Sequence, residues 1–374
     1  MRFKNAIMLL TLAALTSGSY AQGVKYQLLI GSYNTPAKPE GIYVYDFNTQ
    51  TGELNHKTTT NAASPSYLAV SPDRKHVYAV SEDQSQSVNA FGYNSASGKL
   101  TFLNKQDTGG GSPTYVSIDA TGKYVFVANY AGGNFAAVPV LKDGSLGTDI
   151  QYIKHEGSSV NRRQTKPFAH STVISPDNKY LFVSDLGIDK INIYKFDPKK
   201  SPSLSPSEPA FVSLAPGSGP RHFTFHPNKK FAYLIQEING TITAFDYKDG
   251  NLKILQTVSI VPEGFTGRVG AADIHVSPDG KFLYGSNRGD ANDLSIYAIN
   301  QTDGKLTFVG RQSTLGKTPR NFAIDPTGNF LLAANQDSND IFVFKRNQKT
   351  GLLTPTGQKI TISKPSCLQF VRVD

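Results

Sequence analysis

Tyr67-Leu-Ala-Val-Ser-Pro-Asp-Arg-Lys-His-Val-Tyr-Ala-Val80 decides the fold. It reads as a short strand, a tight turn and a second strand, and the unit recurs along the chain. The turn Ser71-Pro-Asp-Arg-Lys returns as Asp119-Ala-Thr-Gly-Lys, Ser175-Pro-Asp-Asn-Lys and His226-Pro-Asn-Lys-Lys, then as Ser277-Pro-Asp-Gly-Lys and Asp325-Pro-Thr-Gly-Asn. The intervals are 48, 56, 51, 51 and 48 residues. A period near fifty built from short strands predicts the blades of a β-propeller.

The flanks of each turn agree. A strand precedes it, as in Tyr115-Val-Ser-Ile and His222-Phe-Thr-Phe, and another follows, as in Tyr124-Val-Phe-Val-Ala and Phe282-Leu-Tyr-Gly-Ser. A third alternating strand comes next, as in Ile191-Asn-Ile-Tyr. Asx-Gly turns such as Asp249-Gly250 and Asp303-Gly304 then introduce a fourth. At the start of the repeats, Tyr26-Gln-Leu-Leu-Ile matches a second strand with no first strand before it. Ser366-Cys-Leu-Gln-Phe-Val matches the missing first strand. The expectation is an all-β, seven-bladed propeller over residues 22–374, a single domain whose closing blade joins strands from both ends of the chain.

Composition fits a soluble globular domain: 39% hydrophobic and 18% charged residues in a chain of 374. Arg2 and Lys4, the apolar run Ile7 to Leu15 and the small residues of Ser19-Tyr20-Ala21 read as a cleavable signal peptide over residues 1–21. The expected location is therefore periplasmic or secreted. The apolar run is too short for a membrane anchor. Losing Arg2 and Lys4 takes the formal charge from +9 to +7. That excess is dispersed, so nucleic acid is not an expected partner. Charges such as Lys142, Asp189 and Arg311 read as solvated loop residues. Cys367, the only cysteine, reads as a buried small hydrophobe. No metal-ligand spacing, phosphate loop or nucleophile elbow is present, so no cofactor and no metal are expected.

Counting from the turn brings the repeats into register at one mouth of the channel. Five residues before the turn stand Ser66, Thr114, His170, Arg221, Ala272 and Arg320. Eleven after its first residue stand Glu82, Tyr130, Leu186, Glu237, Arg288 and Gln336. A merely structural ring needs small or apolar residues there, and single Arg–Glu pairs between blades or a lone structural His are common. Here His170, Arg221, Glu237, Arg288 and Arg320 come from five different strands and are expected to converge on one rim, which marks a site.

Several segments resemble the lactonase family of seven-bladed propellers, which includes 6-phosphogluconolactonase and the fungal carboxy-cis,cis-muconate lactonizing enzyme. They are Gly31-Ser-Tyr, Lys166-Pro-Phe-Ala-His-Ser, Gly217-Ser-Gly-Pro-Arg-His-Phe, Ser286-Asn-Arg-Gly and Thr318-Pro-Arg-Asn-Phe. The resemblance implies hydrolysis of a sugar lactone, an anionic one by the charge of the rim. It places the family's catalytic positions on His170, Arg221, Glu237 and Arg288. The family often carries Asn-Glu where this chain has Gln236-Glu237. Arg320, His222, Tyr130 and Gln336 are the expected substrate-binding neighbours. Glu237 or His170 is the expected base, and Arg221 and Arg288 the expected oxyanion partners. The rival expectations are a non-catalytic propeller that binds a glycan or protein, and a muconate-type cycloisomerase.

Overall fold

The computed structural model describes residues 25–373. Twenty-eight strands and no helix occur among the described residues, and they pair as seven four-stranded antiparallel sheets. The expected signal peptide lies outside the described residues. Six blades run in chain order from their inner strand outward. Blades 2 to 7 have as inner strands Leu68–Val70, Pro113–Ile118, Ala169–Ile174, Pro220–Phe225, Ala271–Val276 and Pro319–Ile324. Blade 1 takes its inner strand, Pro365–Arg372, from the far end of the chain. That strand pairs with Tyr26–Ser32, in register from Tyr26 opposite Arg372 to Gly31 opposite Cys367. Its neighbours on either side are the inner strands of blades 7 and 2, so the ring is closed.

The recurring turn explains itself locally. The Ser71 hydroxyl donates to Asp73 at 2.5 Å and accepts the His76 amide at 2.9 Å, tying the two strands together. Ser277 does the same with Asp279 and Phe282. The fourth turn residue adopts positive φ, as at Arg74 (61°), Asn178 (61°) and Gly280 (71°). Gly and Asn recur there because they tolerate that conformation.

Each second strand is sandwiched between neighbouring blades and is therefore apolar on both faces. Phe126 and Phe135 of blade 3 pack on Leu181 and Phe196 of blade 4, and Phe182 packs on Phe223 and Phe245 of blade 5. Each such fully buried side chain stabilises the fold by about 1.5–3 kcal/mol. Cys367 is buried in the same manner, its Sγ accepting the Leu68 amide at 3.3 Å. Burial pushes its thiol up to about 12.

Two devices aim side chains at the channel mouth. The residue that follows each second strand has its amide bonded to the carbonyl just ahead of an inner strand. These pairs are Tyr33 to Lys364, Glu82 to Ser64, Tyr130 to Ser112, Leu186 to Phe168, Glu237 to Gly219, Arg288 to Gly270 and Gln336 to Thr318. Inner strands also carry a bulge near their start, which leaves Thr114, His170, Arg221, Arg320 and Ser366 as the extra residues. A bulge frees a side chain from the strict alternation of the ladder and can point it along the channel.

Candidate active site

At that mouth lies a cavity of about 250 Å³ lined by Tyr33, Glu82, Thr114, Tyr130, His170, Glu237, Arg288 and Arg320. Larger clefts exist, including one of about 520 Å³ between blades 2 and 3 on the turn face, lined by His76, Tyr124 and Leu141 among others. No comparable set of ion-paired groups converges there. Charge, more than volume, marks the mouth.

On one side of the cavity Glu237 is held by three guanidiniums. Arg221 Nε donates to its Oε2 at 3.1 Å and Arg288 Nη2 reaches the same oxygen at 2.8 Å, while Arg163 donates to Oε1. Burial alone raises the carboxyl pKa, but Arg288, Arg221 and Arg163 outweigh it and pull it down to about 2. Glu237 is thus ionised at neutral pH. Arg221 is itself fully buried; burial and the nearby Arg288 and Arg320 lower it to about 9, which leaves it charged at neutral pH.

His170 lines the cavity but is 4% exposed. Burial, then Arg221, His222, Arg320 and Arg288, hold its pKa well below the ordinary histidine range. It is a neutral imidazole at neutral pH. Its Nδ1 is buried without a hydrogen-bond partner among the described residues, and its ring stands edge-on to Tyr130.

Across the mouth the environment is different. The Glu82 Oε2 atom accepts from the Tyr33 hydroxyl at 2.6 Å, from Ser66 at 2.6 Å and from Thr114 at 3.4 Å. Tyr33 is pushed up to about 12, chiefly by burial, so its hydroxyl keeps the proton it donates. Arg320 lies over the Tyr33 ring, 5.2 Å from its centroid.

A polar plug closes the channel beneath. Arg221 Nη1 donates to His222 Nε2 at 3.1 Å, and His222 Nδ1 donates to Asp273 at 2.7 Å. Asp273 also accepts from His275 at 2.8 Å and from Asn321. Burial and Arg221 lower His222 to about 4, so it is neutral and relays no charge of its own. Tyr67 and Tyr115 stack at 4.1 Å beside it.

Residues 27–370 match the family model described as "Lactonase, 7-bladed beta-propeller". The chain belongs to that lactonase family. A relative named 6-phosphogluconolactonase from Formosa agariphila is 38% identical over 315 residues, 83% of this chain and 89% of the relative. A solved structure described as a periplasmic gluconolactonase from Pseudomonas aeruginosa superposes with a TM-score of 0.90 at 39% identity. It covers 94% of this chain and 100% of that one. A putative 6-phosphogluconolactonase from Bacteroides fragilis gives 0.89 at 42% identity, covering 94% and 99%.

Within this lactonase-family propeller, the residues singled out from sequence separate by depth. Glu237, His170, Arg288, Arg320 and Tyr130 line one cavity. Arg221 does not line it. Its guanidinium lies beneath, spent on Glu237, His222 and the Ala272 carbonyl. His222 is likewise turned down the channel into the plug, which corrects its expected place beside substrate. Gln336 opens into an adjoining cavity of about 310 Å³ with Lys38 and Lys364, joined to the first through Tyr33. Register counting reaches neither Tyr33 nor Arg163. Tyr33 is the blade 1 member of the ring that contains Glu82 and Glu237, but no turn motif precedes it to count from. Arg163 sits on the loop between blades 3 and 4, which has no repeat.

Asp189 also corrects its expected place as a solvated charge. It is buried, and it accepts from Gln164 and the Gly219 amide on one oxygen and from Ser159 and the Gly217 amide on the other. It thereby fastens the Arg163 loop to the loop that precedes Arg221. Arg311 is half-buried, paired with Asp293 at 3.1 Å.

Proposed function

We propose that the protein hydrolyses a sugar lactone to the open-chain aldonic acid in the cavity at the channel mouth. The observation that carries this reading is the convergence of guanidiniums and a neutral imidazole on one small cavity. Ring opening by water develops negative charge on the carbonyl oxygen and ends in a carboxylate. Preorganised donors aimed at that oxygen are the largest single source of acceleration in such reactions. Arg288 and Arg320 face the cavity and are assigned to the oxyanion and to the product carboxylate, which a guanidinium binds bidentately. Arg221, from below, and Arg163, from the loop, hold Glu237, and Glu237 in turn fixes Arg288. His170 is assigned as a neutral donor to a reacting oxygen, its proton on Nε2 because Nδ1 is enclosed without a partner among the described residues.

Four arginines against the two carboxylates Glu82 and Glu237 give the site a cationic excess. That balance supports an anionic lactone, or one whose product is retained as an anion. The leader-like residues 1–21, together with the relative described as periplasmic, support action in the periplasm or outside the cell.

The test is proton release by the chain from Gln22 onward with glucono-1,5-lactone and its 6-phosphate. Turnover above the spontaneous rate is expected on at least one of them, with kcat/KM falling about 10²–10³-fold in Arg288→Ala. The spontaneous rate with both lactones would overturn the reading and favour a propeller that only binds.

A further inference from the structure

We propose that Glu82 is the general base of the reaction, the group that takes the proton from the attacking water. This rests on the lactone-hydrolysis reading above. The expected base, Glu237, has both carboxylate oxygens engaged by guanidiniums, Oε1 by Arg163 and Oε2 by Arg221 and Arg288. A carboxylate so held is a poor proton acceptor. His170 is unsuited for a related reason: adding a proton would place an enclosed cation among Arg221, Arg288 and Arg320. Tyr33 and Tyr130 keep their protons, both being raised, chiefly by burial.

Glu82 faces the same cavity with neutral hydrogen-bond donors only, and Arg320, which senses its charge, stays over the Tyr33 ring without a salt bridge to it. Tyr33, Ser66 and Thr114 all donate to Oε2 and orient the carboxylate. Its Oε1 accepts no hydrogen bond from the described residues and is left for a water in the cavity. No guanidinium is ion-paired with it among the described residues. Ser66 is not a covalent nucleophile here: it is 2% exposed, beneath Glu82, and does not line the cavity.

Position on the ring supports the assignment. Glu82 belongs to blade 2 and Glu237 to blade 5, so the two stand across a sevenfold mouth from each other. A lactone between them meets its water on the Glu82 side and turns its carbonyl oxygen toward Arg288. The balance is simple. A water O–H bond breaks as the new C–O bond forms, and the proton goes to Glu82. The carbonyl electron pair moves onto the oxygen facing Arg288. When that pair returns, the ring C–O bond breaks and Glu82 hands its proton to the departing ring oxygen. The new carboxylic acid then ionises, releasing one proton.

The experiment compares wild type, Glu82→Gln and Glu82→Ala on whichever lactone the wild type turns over. Glu82→Gln is expected to lower kcat about 10²–10⁴-fold, with KM within about threefold and melting temperature preserved. Glu82→Ala, if folded by circular dichroism, is expected to regain at least about tenfold in rate with added formate, a small carboxylate that can occupy the vacated space. A merely structural Glu82 gives no formate response. A Glu82→Gln kcat within tenfold of wild type overturns the proposal, as does a loss confined to KM. An inactive wild type defeats the lactonase reading itself, so the two failures are distinguishable.

Discussion

Blades 2 and 5 set the same register position to different work. Each follows its second strand with a glutamate whose amide is bonded to the carbonyl ahead of the inner strand, Glu82 to Ser64 and Glu237 to Gly219. From there the two diverge. Glu237 is surrounded by arginines and serves as the keystone of a cationic wall, while Glu82 is surrounded by hydroxyls. The repeat determines where a side chain emerges, and its immediate neighbours determine which chemistry it can perform. One backbone unit, used twice, places an ion-paired carboxylate and a hydroxyl-bound one on the lining of one cavity.

The largest effect that tests this contrast comes from Glu237→Ala. It strips the counter-charge from a buried Arg221, so a loss of about 3–5 kcal/mol in stability is expected in urea melts, with turnover abolished. Glu237→Gln keeps the shape and some hydrogen bonds; it is expected to lose activity through misplaced arginines, with no recovery by formate. Formate recovery in a Glu237 variant would erase the distinction between the two sides.

Acid provides a second, smaller test. His222 is lowered in the folded state to about 4 from 6.5, so the unfolded chain binds its proton first and stability falls as pH drops from about 6.5. Glu237, lowered to about 2 from 4.5, contributes stability that is complete above pH 4.5 and lost as pH falls toward 2. Melting temperature against pH should therefore decline in two stages, and Glu237→Gln should reduce the lower one, leaving the share that belongs to the likewise lowered Asp273.

The smallest effect concerns the backbone. The residue ahead of the proline that leads into or opens an inner strand has positive φ at Ser64 (41°), Ser112 (52°), Thr318 (62°) and Lys364 (43°), where blade 5 has Gly219 (70°). Relieving one such position with Ser112→Gly is expected to add up to about 1 kcal/mol in thermal melts, because the non-glycine strain of a left-handed residue disappears. A loss of stability would instead mean that glycine's extra freedom in the unfolded chain outweighs that strain.

Much of the architecture was legible because it repeats. Six turns, five opened by a Ser or Asp side chain and one by His226, and the pairing of Tyr26–Ser32 with Pro365–Arg372, follow from the repeat. Register counting likewise reached Glu82, Thr114, Tyr130, His170, Glu237, Arg288 and Arg320, all of which line the cavity. What spacing could not convey was depth and partnership. Arg221 and His222 are consecutive residues at a bulge, so one guanidinium and one imidazole stack down the channel where a regular strand would send them to opposite faces. Arg163 lies on a loop outside the period. Asp189 looked solvated because its partners are mostly backbone amides and hydroxyls, groups that every sequence contains and that only the folded loops bring together.

The closing blade also sets the order in which the protein comes to life during synthesis. Tyr33, which holds Glu82 in place, leaves a strand that finds its inner partner only when Pro365–Arg372 arrives. Until then six blades are fully encoded and the seventh is open, with Tyr33 lacking the Lys364 carbonyl that pins its amide. The cavity is therefore completed only when the ring closes, and six blades without the seventh lack the Tyr33 wall. Under the proposed assignment, turnover doubles as a readout of whether the ring has been joined.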